Sequence, residues 1–443
     1  MNFDQAITLL VLAAVVAALI RDKMRADVVA LAGAAFLLIT GIVRPVEVQS
    51  AFASPAIVAL ASLFVIAYAM ELSGLLDAAI RRMVALCRRI GTAGLWVLIG
   101  AAGSASAFLN NTPIVVLSAP VVRDAAKSLN RSPRCYLMPL SYAAVLGGCC
   151  TLIGTSTNLL VNDMAAVAGQ PRFGMFEITP VGLAVAIAGG IYLFFFGSRL
   201  VRGRDDDDSE GMSTADAAEA AQKFNEPGLT GGLVGSAGAF AEQVELKPLK
   251  AIASLSVFVG VVALAAFNIA PIAASAFAGA VLLILARVIT ADEAYHGLRP
   301  EVLMLIAGMV VLGIALDETG LASSATEALI GTMQSVSPLM ALIILYGVTL
   351  FATEILSNAT VAVLFTPVAV SMAEAFGVSP RPFLVAVMIA GSAAFATPFG
   401  YQTNAIVYQM GRYRYLDFMM VGIPLNLITW AAAIVAIRLY FPF

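Results

Sequence analysis

Apolar runs approaching the ~20 residues needed to cross a bilayer recur along the whole chain, with short polar stretches between them. Ile7–Ile20, Val28–Val43 and Ala56–Met70 read as three spans; Arg21, Lys23 and Arg25 follow the first, and Arg44–Ser54 reads as a polar turn before the third. The next segment, with Arg81, Arg82, Arg88 and Arg89, is too charged to cross and suits a helix lying along the membrane surface. Thr179–Leu200 closes the first half. After Gly203–Lys247 the pattern returns as spans at Ala251–Phe267, Pro271–Ile289 and Val302–Leu316, with a last one at Val421–Tyr440.

Four polar islands interrupt this pattern. Thr92–Val122 is broken at Asn110-Asn111-Thr112-Pro113, which predicts two half-length helices meeting in a re-entrant hairpin over about 92–125. Tyr136–Asp163 is long enough to span, yet Gly147-Gly148 and Gly154-Thr155-Ser156-Thr157-Asn158 predict a broken helix over about 136–163. The second half carries Ser357-Asn358-Ala359-Thr360 in a hairpin at about 337–376, and Gly400-Tyr401-Gln402-Thr403-Asn404 in a broken helix at about 383–410. Turn-forming polar residues at membrane depth are tolerated only where they face protein or water, which makes such islands site candidates.

An offset of 246 or 247 residues aligns Gly74 with Gly320, Asn111 with Asn358, Pro120 with Pro367, Ser132-Pro133 with Ser379-Pro380, Gly154 with Gly400, and Thr157-Asn158 with Thr403-Asn404. Punctuation matched in order over such a length is the mark of a duplication. Charge then orients the copies. Glu71–Arg134 carries eight Lys or Arg and its counterpart Asp317–Pro380 carries none, so the positive-inside rule opens the first hairpin to the cytoplasm and the second to the outside. The expected fold is an all-α polytopic membrane protein: two inverted-topology repeats of five transmembrane helices each, one re-entrant hairpin per repeat, and broken helices at the midplane. Its expected divisions are a first repeat at 1–202, an acidic and Gly-rich linker at 203–249 and a second repeat at 250–443. The remaining basic clusters all fall inside if both termini lie outside and the linker is cytoplasmic, with the protein in the cell's inner (plasma) membrane. The first span has no basic region before it, which argues against a cleaved signal peptide.

Composition agrees: 60% of the residues are apolar and 12% charged, outside the soluble globular range. No basic patch suggests nucleic acid. Cys87, Cys135, Cys149 and Cys150 lack zinc-ligand spacing and read as small apolar fillers. No acid, base or metal constellation points to an enzyme, and Ser156 has no nearby His or Asp to activate it. The acidic run Asp205–Asp208 reads as solvated, as does His296 in a charged connection. Glu71 and Glu354 lie near membrane segments, and Glu354, three residues before Ser357, is placed to carry a proton in place of Na+.

Two hairpin tips and two helix breaks are expected to meet near mid-membrane. Thr112-Pro113 resembles a helix start, and Thr157-Asn158 and Thr403-Asn404 resemble caps of the second halves of the broken helices. Such starts favour an anion, while carbonyls freed at breaks, with Asn and Ser/Thr oxygens, suit Na+. None of the islands contains Arg, Lys, Asp or Glu, so an anion held there is balanced by dipoles and co-bound cations. This is a physical reason for Na+ coupling.

At these islands the chain resembles the divalent anion:sodium symporter family, solute carrier family 13, of the ion transporter superfamily. Gly154-Thr155-Ser156-Thr157-Asn158-Leu159, and Thr397-Pro398 followed by Gly400-Tyr401-Gln402-Thr403-Asn404, are similar to its bacterial sulfate-permease-like branch. The family's Ser-Asn-Thr tips fall on Asn110-Asn111-Thr112 and Ser357-Asn358-Ala359; Asn110 replaces Ser and Ala359 replaces Thr, each change removing a hydroxyl. The resemblance implies a substrate site formed by Asn110, Asn111, Thr112, Ser357, Asn358, Ala359, Tyr401 and Gln402. It implies one Na+ site at Asn111, Gly154, Thr155 and Asn158, and another at Asn358, Gly400 and Asn404. It also implies a homodimer working by an elevator mechanism, without the soluble regulatory domains that many members insert between their halves. The expected activity is Na+-coupled import of a small divalent anion, sulfate first and a dicarboxylate next. Proton-coupled transport, cation/proton antiport, arsenite-type efflux and a channel are the alternatives.

Overall fold

A computed structural model of the chain describes residues 2–21, 24–75, 78, 91–197, 246–267, 269–321, 336–398 and 400–443. The segment around Arg81–Arg89, expected to lie along the membrane surface, and the linker up to residue 245 fall outside the described residues. Every regular element among the described residues is helical. The first half runs α1 (Phe3–Arg21), α2 (Ala26–Ile39), α3 (Pro45–Phe52), α4 (Pro55–Leu72), α5 (Thr92–Ser106), α6 (Asn111–Ser128), α7 (Arg134–Gly148), α8 (Ser156–Val167) and α9 (Thr179–Tyr192). The second runs α10 (Pro248–Ala266), α11 (Ile272–Leu285), α12 (Ala291–Gly297), α13 (Pro300–Glu318), α14 (Pro338–Thr353), α15 (Asn358–Phe376), α16 (Arg381–Ala390), α17 (Gln402–Met410) and α18 (Tyr415–Tyr440).

Each element of the first half has its counterpart in the second, in the same order, and all pairs but the last start close to the same offset. The punctuation matches in detail. Gly74 and Gly320 both adopt positive φ, 70° and 66°, where α4 and α13 stop. That left-handed conformation is cheap only for glycine. The expected polar turn at Arg44–Ser54 is instead the short helix α3, because Pro45 presets its first turn and Glu47 accepts the Arg44 backbone N–H at 2.8 Å. Its counterpart α12 starts the same way, with Glu293 accepting from the Thr290 backbone at 2.7 Å.

Packing exchanges the halves. Helix α2 lies on α13 and α11 on α4; α5 and α6 pack on α7, as α14 and α15 pack on α16. The second part of each broken helix crosses over: α8 contacts α15 and α16, while α17 contacts α6 and α7. Each hairpin is therefore closed by the other half's broken helix. Many outward side chains, including Phe36, Ile187, Phe277, Leu285 and Val435, are apolar and exposed, as expected of a surface that meets lipid. Among the described residues five helical segments are long and apolar enough to cross a membrane, or six if α12 and α13, bent by 58°, count as one.

Small residues set the closest contacts. A Cβ built on Gly147 of α7 falls 1.9 Å from the Gly103 carbonyl oxygen of α5, so the helices meet backbone to backbone. Gly147→Ala is expected to cost roughly 1–3 kcal/mol by overpacking and to lower the thermal unfolding midpoint in detergent. Gly190→Ala, at a position with nothing within 4 Å of the added atom, is expected to leave that midpoint unchanged.

Candidate functional site

The first tip lies between α5 and α6. Asn110 caps α6, its Oδ1 accepting from the Thr112 backbone N–H at 3.3 Å, so the cap is Asn110 and not Thr112. Asn111 opens the helix and is buried; its Oδ1 accepts from the Ser106 hydroxyl. At the first break, Thr155 caps α8 by accepting from Thr157 N at 3.4 Å, which moves the cap two residues ahead of the expected Thr157. Thr151 donates its hydroxyl to the Ala107 carbonyl, and Asn158 donates Nδ2 to the Thr151 carbonyl at 3.0 Å.

The second tip and break repeat this wiring. Thr353 Oγ1 lies 2.8 Å from Asn358 Oδ1 and also 2.8 Å from the Gly391 carbonyl oxygen. Thr397 donates to the Glu354 carbonyl at 3.1 Å, and Asn404 Nδ2 donates to the carbonyls of Thr397 at 3.2 Å and Ala394 at 2.7 Å. Three links thus recur at the repeat offset: hydroxyl to tip Asn, break Thr to hairpin carbonyl, and helix Asn to break carbonyl. Ser357 caps α15 through the Thr360 backbone at 3.2 Å, and its hydroxyl lies 2.7 Å from that of Thr360. Ala359 is buried and contributes no polar atom, so Thr360 supplies the hydroxyl nearest Ser357. Gly400 donates its N–H to Thr397 Oγ1 at 3.0 Å.

Bonds between the halves join the first tip to the second break. Asn111 Nδ2 donates to the Tyr401 hydroxyl at 2.7 Å, and Thr112 Oγ1 donates to Gln402 Oε1 at 3.2 Å. Tyr401 holds the cap position of α17 without a side-chain cap, so neither Thr403 nor Asn404 caps that helix, and its hydroxyl reaches across the site instead. Ser141 of α7 donates to Asn404 Oδ1 at 2.7 Å and lies 2.8 Å from Thr403 Oγ1.

Oxygens converge on the first break. A Cβ on Gly148 would sit 2.8 Å from Asn111 Oδ1 and 3.1 Å from the Gly154 carbonyl oxygen. A Cβ on Gly154 would sit 2.4 Å from the Gly148 carbonyl oxygen and 2.9 Å from that of Ala107. Asn158 Oδ1 is buried with no hydrogen-bond partner among the described residues. A cluster of neutral oxygens with a surplus acceptor suits a hard monovalent cation. No group of three or more His, Cys, Asp or Glu suited to a metal occurs among the described residues.

Beside the first tip lies a cavity of about 390 Å³, lined by Asn110, Pro113, Gly154 and Ser156 on one side and by Phe64, Ala67, Glu71, His296 and Arg299 on the other. His296 belongs to α12 and is exposed at this cavity. The cavity lies where α4 faces the hairpin tip. The counterpart face of α13, at Val310 and Gly313, shares a smaller space of about 150 Å³ with Pro367, Val370 and Glu374, well below the second tip on α15. Ser106, Ser141, Thr151, Thr353 and Thr397 were not singled out as site residues from sequence. Ser106 and Thr353, each five residues before a tip Asn, were detectable only by extending the repeat alignment into the preceding helix.

The citrate transporter family model (CitMHS) matches residues 16–386 and 355–443. An uncharacterized transporter of Synechocystis is 23% identical over 99% of this chain and 98% of its own length. A putative sulfur deprivation response regulator of Chlamydomonas reinhardtii is 37% identical over 42% of this chain, a match spanning 32% of that relative. A probable sodium/sulfate cotransporter of the same alga is 44% identical over 20% of this chain and 11% of its own. The crystal structure of the Alcanivorax borkumensis YdaH transporter superposes with a TM-score of 0.56 at 16% identity, covering 89% of this chain and 87% of that one. The chain is a multi-pass membrane transporter, not an enzyme, and it belongs to the citrate transporter family of the ion transporter superfamily.

Proposed function

We propose that this chain is a secondary active transporter that imports a small divalent anion, sulfate first, together with Na+. The observation that carries this reading is the joining of the first tip to the second break by Asn111–Tyr401 and Thr112–Gln402, beside a cavity that reaches Asn110. These groups are polar and neutral, so an anion among them is balanced by helix starts and by cations at the oxygen clusters. The sodium/sulfate names of partial relatives support sulfate and Na+. A carboxylate substrate is the second reading, favoured by the family's description as citrate transporters.

An elevator-type exchange of access is supported by a mismatch between repeats. Phe64 and Ala67 of α4 share a cavity with tip residue Asn110, whereas their counterparts Val310 and Gly313 share one with Pro367 and Val370. Pro367 lies ten residues past the tip residue Ser357, or ~15 Å along a helix at about 1.5 Å per residue. Exchanging the roles of the repeats brings Ser357 to Val310 and slides the first hairpin by a similar distance. The reading includes a homodimer in the plasma membrane, with both termini outside and the linker inside.

Asn111→Ala removes partners of Ser106 and Tyr401, and Asn358→Ala removes one of the two acceptors of Thr353. Each is expected to cut Na+-dependent sulfate uptake in proteoliposomes by at least about tenfold, which corresponds to ~1.4 kcal/mol, while the protein stays monodisperse in gel filtration. Uptake by both variants at the wild-type rate would sink the site assignment. Competition of labelled sulfate by thiosulfate, succinate and citrate, with and without Na+, ranks the substrates. A cysteine pair at Val310 and Ser357 is expected to react with a short bifunctional thiol reagent only during turnover, trapping the exchanged state. No trapping under any gradient would count against the elevator.

A further inference from the structure

The two repeats share their wiring but not their charge. Ala107 and Glu354 are counterparts, and each offers its backbone carbonyl to the threonine of the following break. Only Glu354 adds a carboxylate. Its Oε1 accepts from the Ala396 backbone N–H at 2.7 Å and from Asn426 Nδ2 at 2.7 Å, and its Oε2 accepts from the Thr397 backbone N–H at 2.9 Å.

Each of these donors to the carboxylate is an N–H group and each is neutral. An ionised carboxylate is the acceptor-only form, which three donors match. The carboxylate lies against the second break, where a Cβ on Gly400 would come 3.3 Å from Oε2, 2.9 Å from Thr397 Oγ1 and 2.8 Å from Ala394 Cβ. Asn426 is buried, and by donating through Nδ2 it keeps its Oδ1, which has no hydrogen-bond partner among the described residues, next to the carboxylate. On the other side, the Thr353 hydroxyl has one proton for the two acceptors at 2.8 Å, Asn358 Oδ1 and the Gly391 carbonyl. The second tip and break therefore combine surplus oxygen acceptors with a carboxyl group whose hydrogen-bond donors among the described residues are neutral.

We propose that Glu354 is a fixed negative charge that makes the second cation site, at the Thr353–Asn358 tip and the Gly400 break, fill first and hold its Na+ more tightly than the neutral first site. This rests on the Na+-coupled reading above and adds an order of binding to it. A unit charge a few ångströms from a bound cation, in surroundings less polar than water, changes affinity by more than about tenfold. Filling the second site neutralises Glu354 before the anion arrives, so the substrate meets no repulsion from it.

The test is a Na+ titration of the purified full-length chain, read by thermal unfolding in detergent and by sulfate uptake in proteoliposomes. Glu354→Gln is expected to raise the half-saturating Na+ concentration by at least about tenfold. Glu354→Asp keeps the charge and is expected to raise it less, which holds the test open if the Gln variant is poorly folded. Asn111→Ala, at the neutral site, is expected to lower Na+ cooperativity while leaving the tight phase in place. A half-saturating concentration in both Glu354 variants within twofold of wild type would overturn the assignment. So would retained Na+ dependence in Glu354→Gln with loss of dependence on a proton gradient, because Glu354 would then carry H+. Unfolding and uptake of the wild-type chain that ignore Na+ altogether would instead remove the coupling reading itself, and this proposal with it.

Discussion

A helix broken inside an apolar bundle releases backbone N–H and C=O groups that have no water to turn to, and every one left unpaired costs free energy. The whole arrangement of this chain follows from how those groups are answered. At each break a threonine, Thr151 or Thr397, bonds a hairpin carbonyl, and an asparagine, Asn158 or Asn404, bonds the threonine's own carbonyl. The hairpins and broken helices are therefore mutually dependent, because neither ends in satisfied backbone without the other. The exchange of α8 and α17 between halves extends that dependence across the molecule.

This way of satisfying a break leaves a residue of oxygen. Helix ends that point carbonyls inward, glycines that let those carbonyls approach, and side-chain amides that donate with one end and expose the other together produce clusters of acceptors with few protons. The Gly148–Gly154 pocket is such a cluster, and the close approach at Gly147 and Gly103 keeps its walls from drifting apart. The feature that solves a structural problem is thus the one that leaves the site rich in acceptor oxygens.

Duplication made the two halves similar without making them equal. The same three links appear twice, yet one hairpin carries Ala107 where the other carries Glu354, and one tip stands open beside α4 while the counterpart face of α13 packs on α8 and shares a smaller space with the shaft of α15. The first inequality is chemical and belongs to the sequence. The second is positional, since counterpart helices packed at different heights differ in what they touch.

Sequence by itself determined the helical class, the membrane environment, the repeat offset and the places where helices stop. Apolar length, glycine at positive-φ stops such as Gly74 and Gly320, and proline at starts are local signals that no distant contact overrides. It located the tip residues but misplaced their caps: Asn110 and Thr155 hold the helix starts because their side-chain oxygens reach the N–H two residues on, a choice among neighbouring polar residues that composition does not make. Arg44–Ser54 read as a turn because an eight-residue helix has too short an apolar pattern to stand out. Only the tertiary structure decided which tip meets which break. The Asn111–Tyr401 bond joins residues 290 apart in the chain, and nothing near either residue specifies the other. The role of Glu354 was equally hidden, because its partners Ala396, Thr397 and Asn426 come from two other segments and become donors to it only once α14, the second break and α18 are packed together.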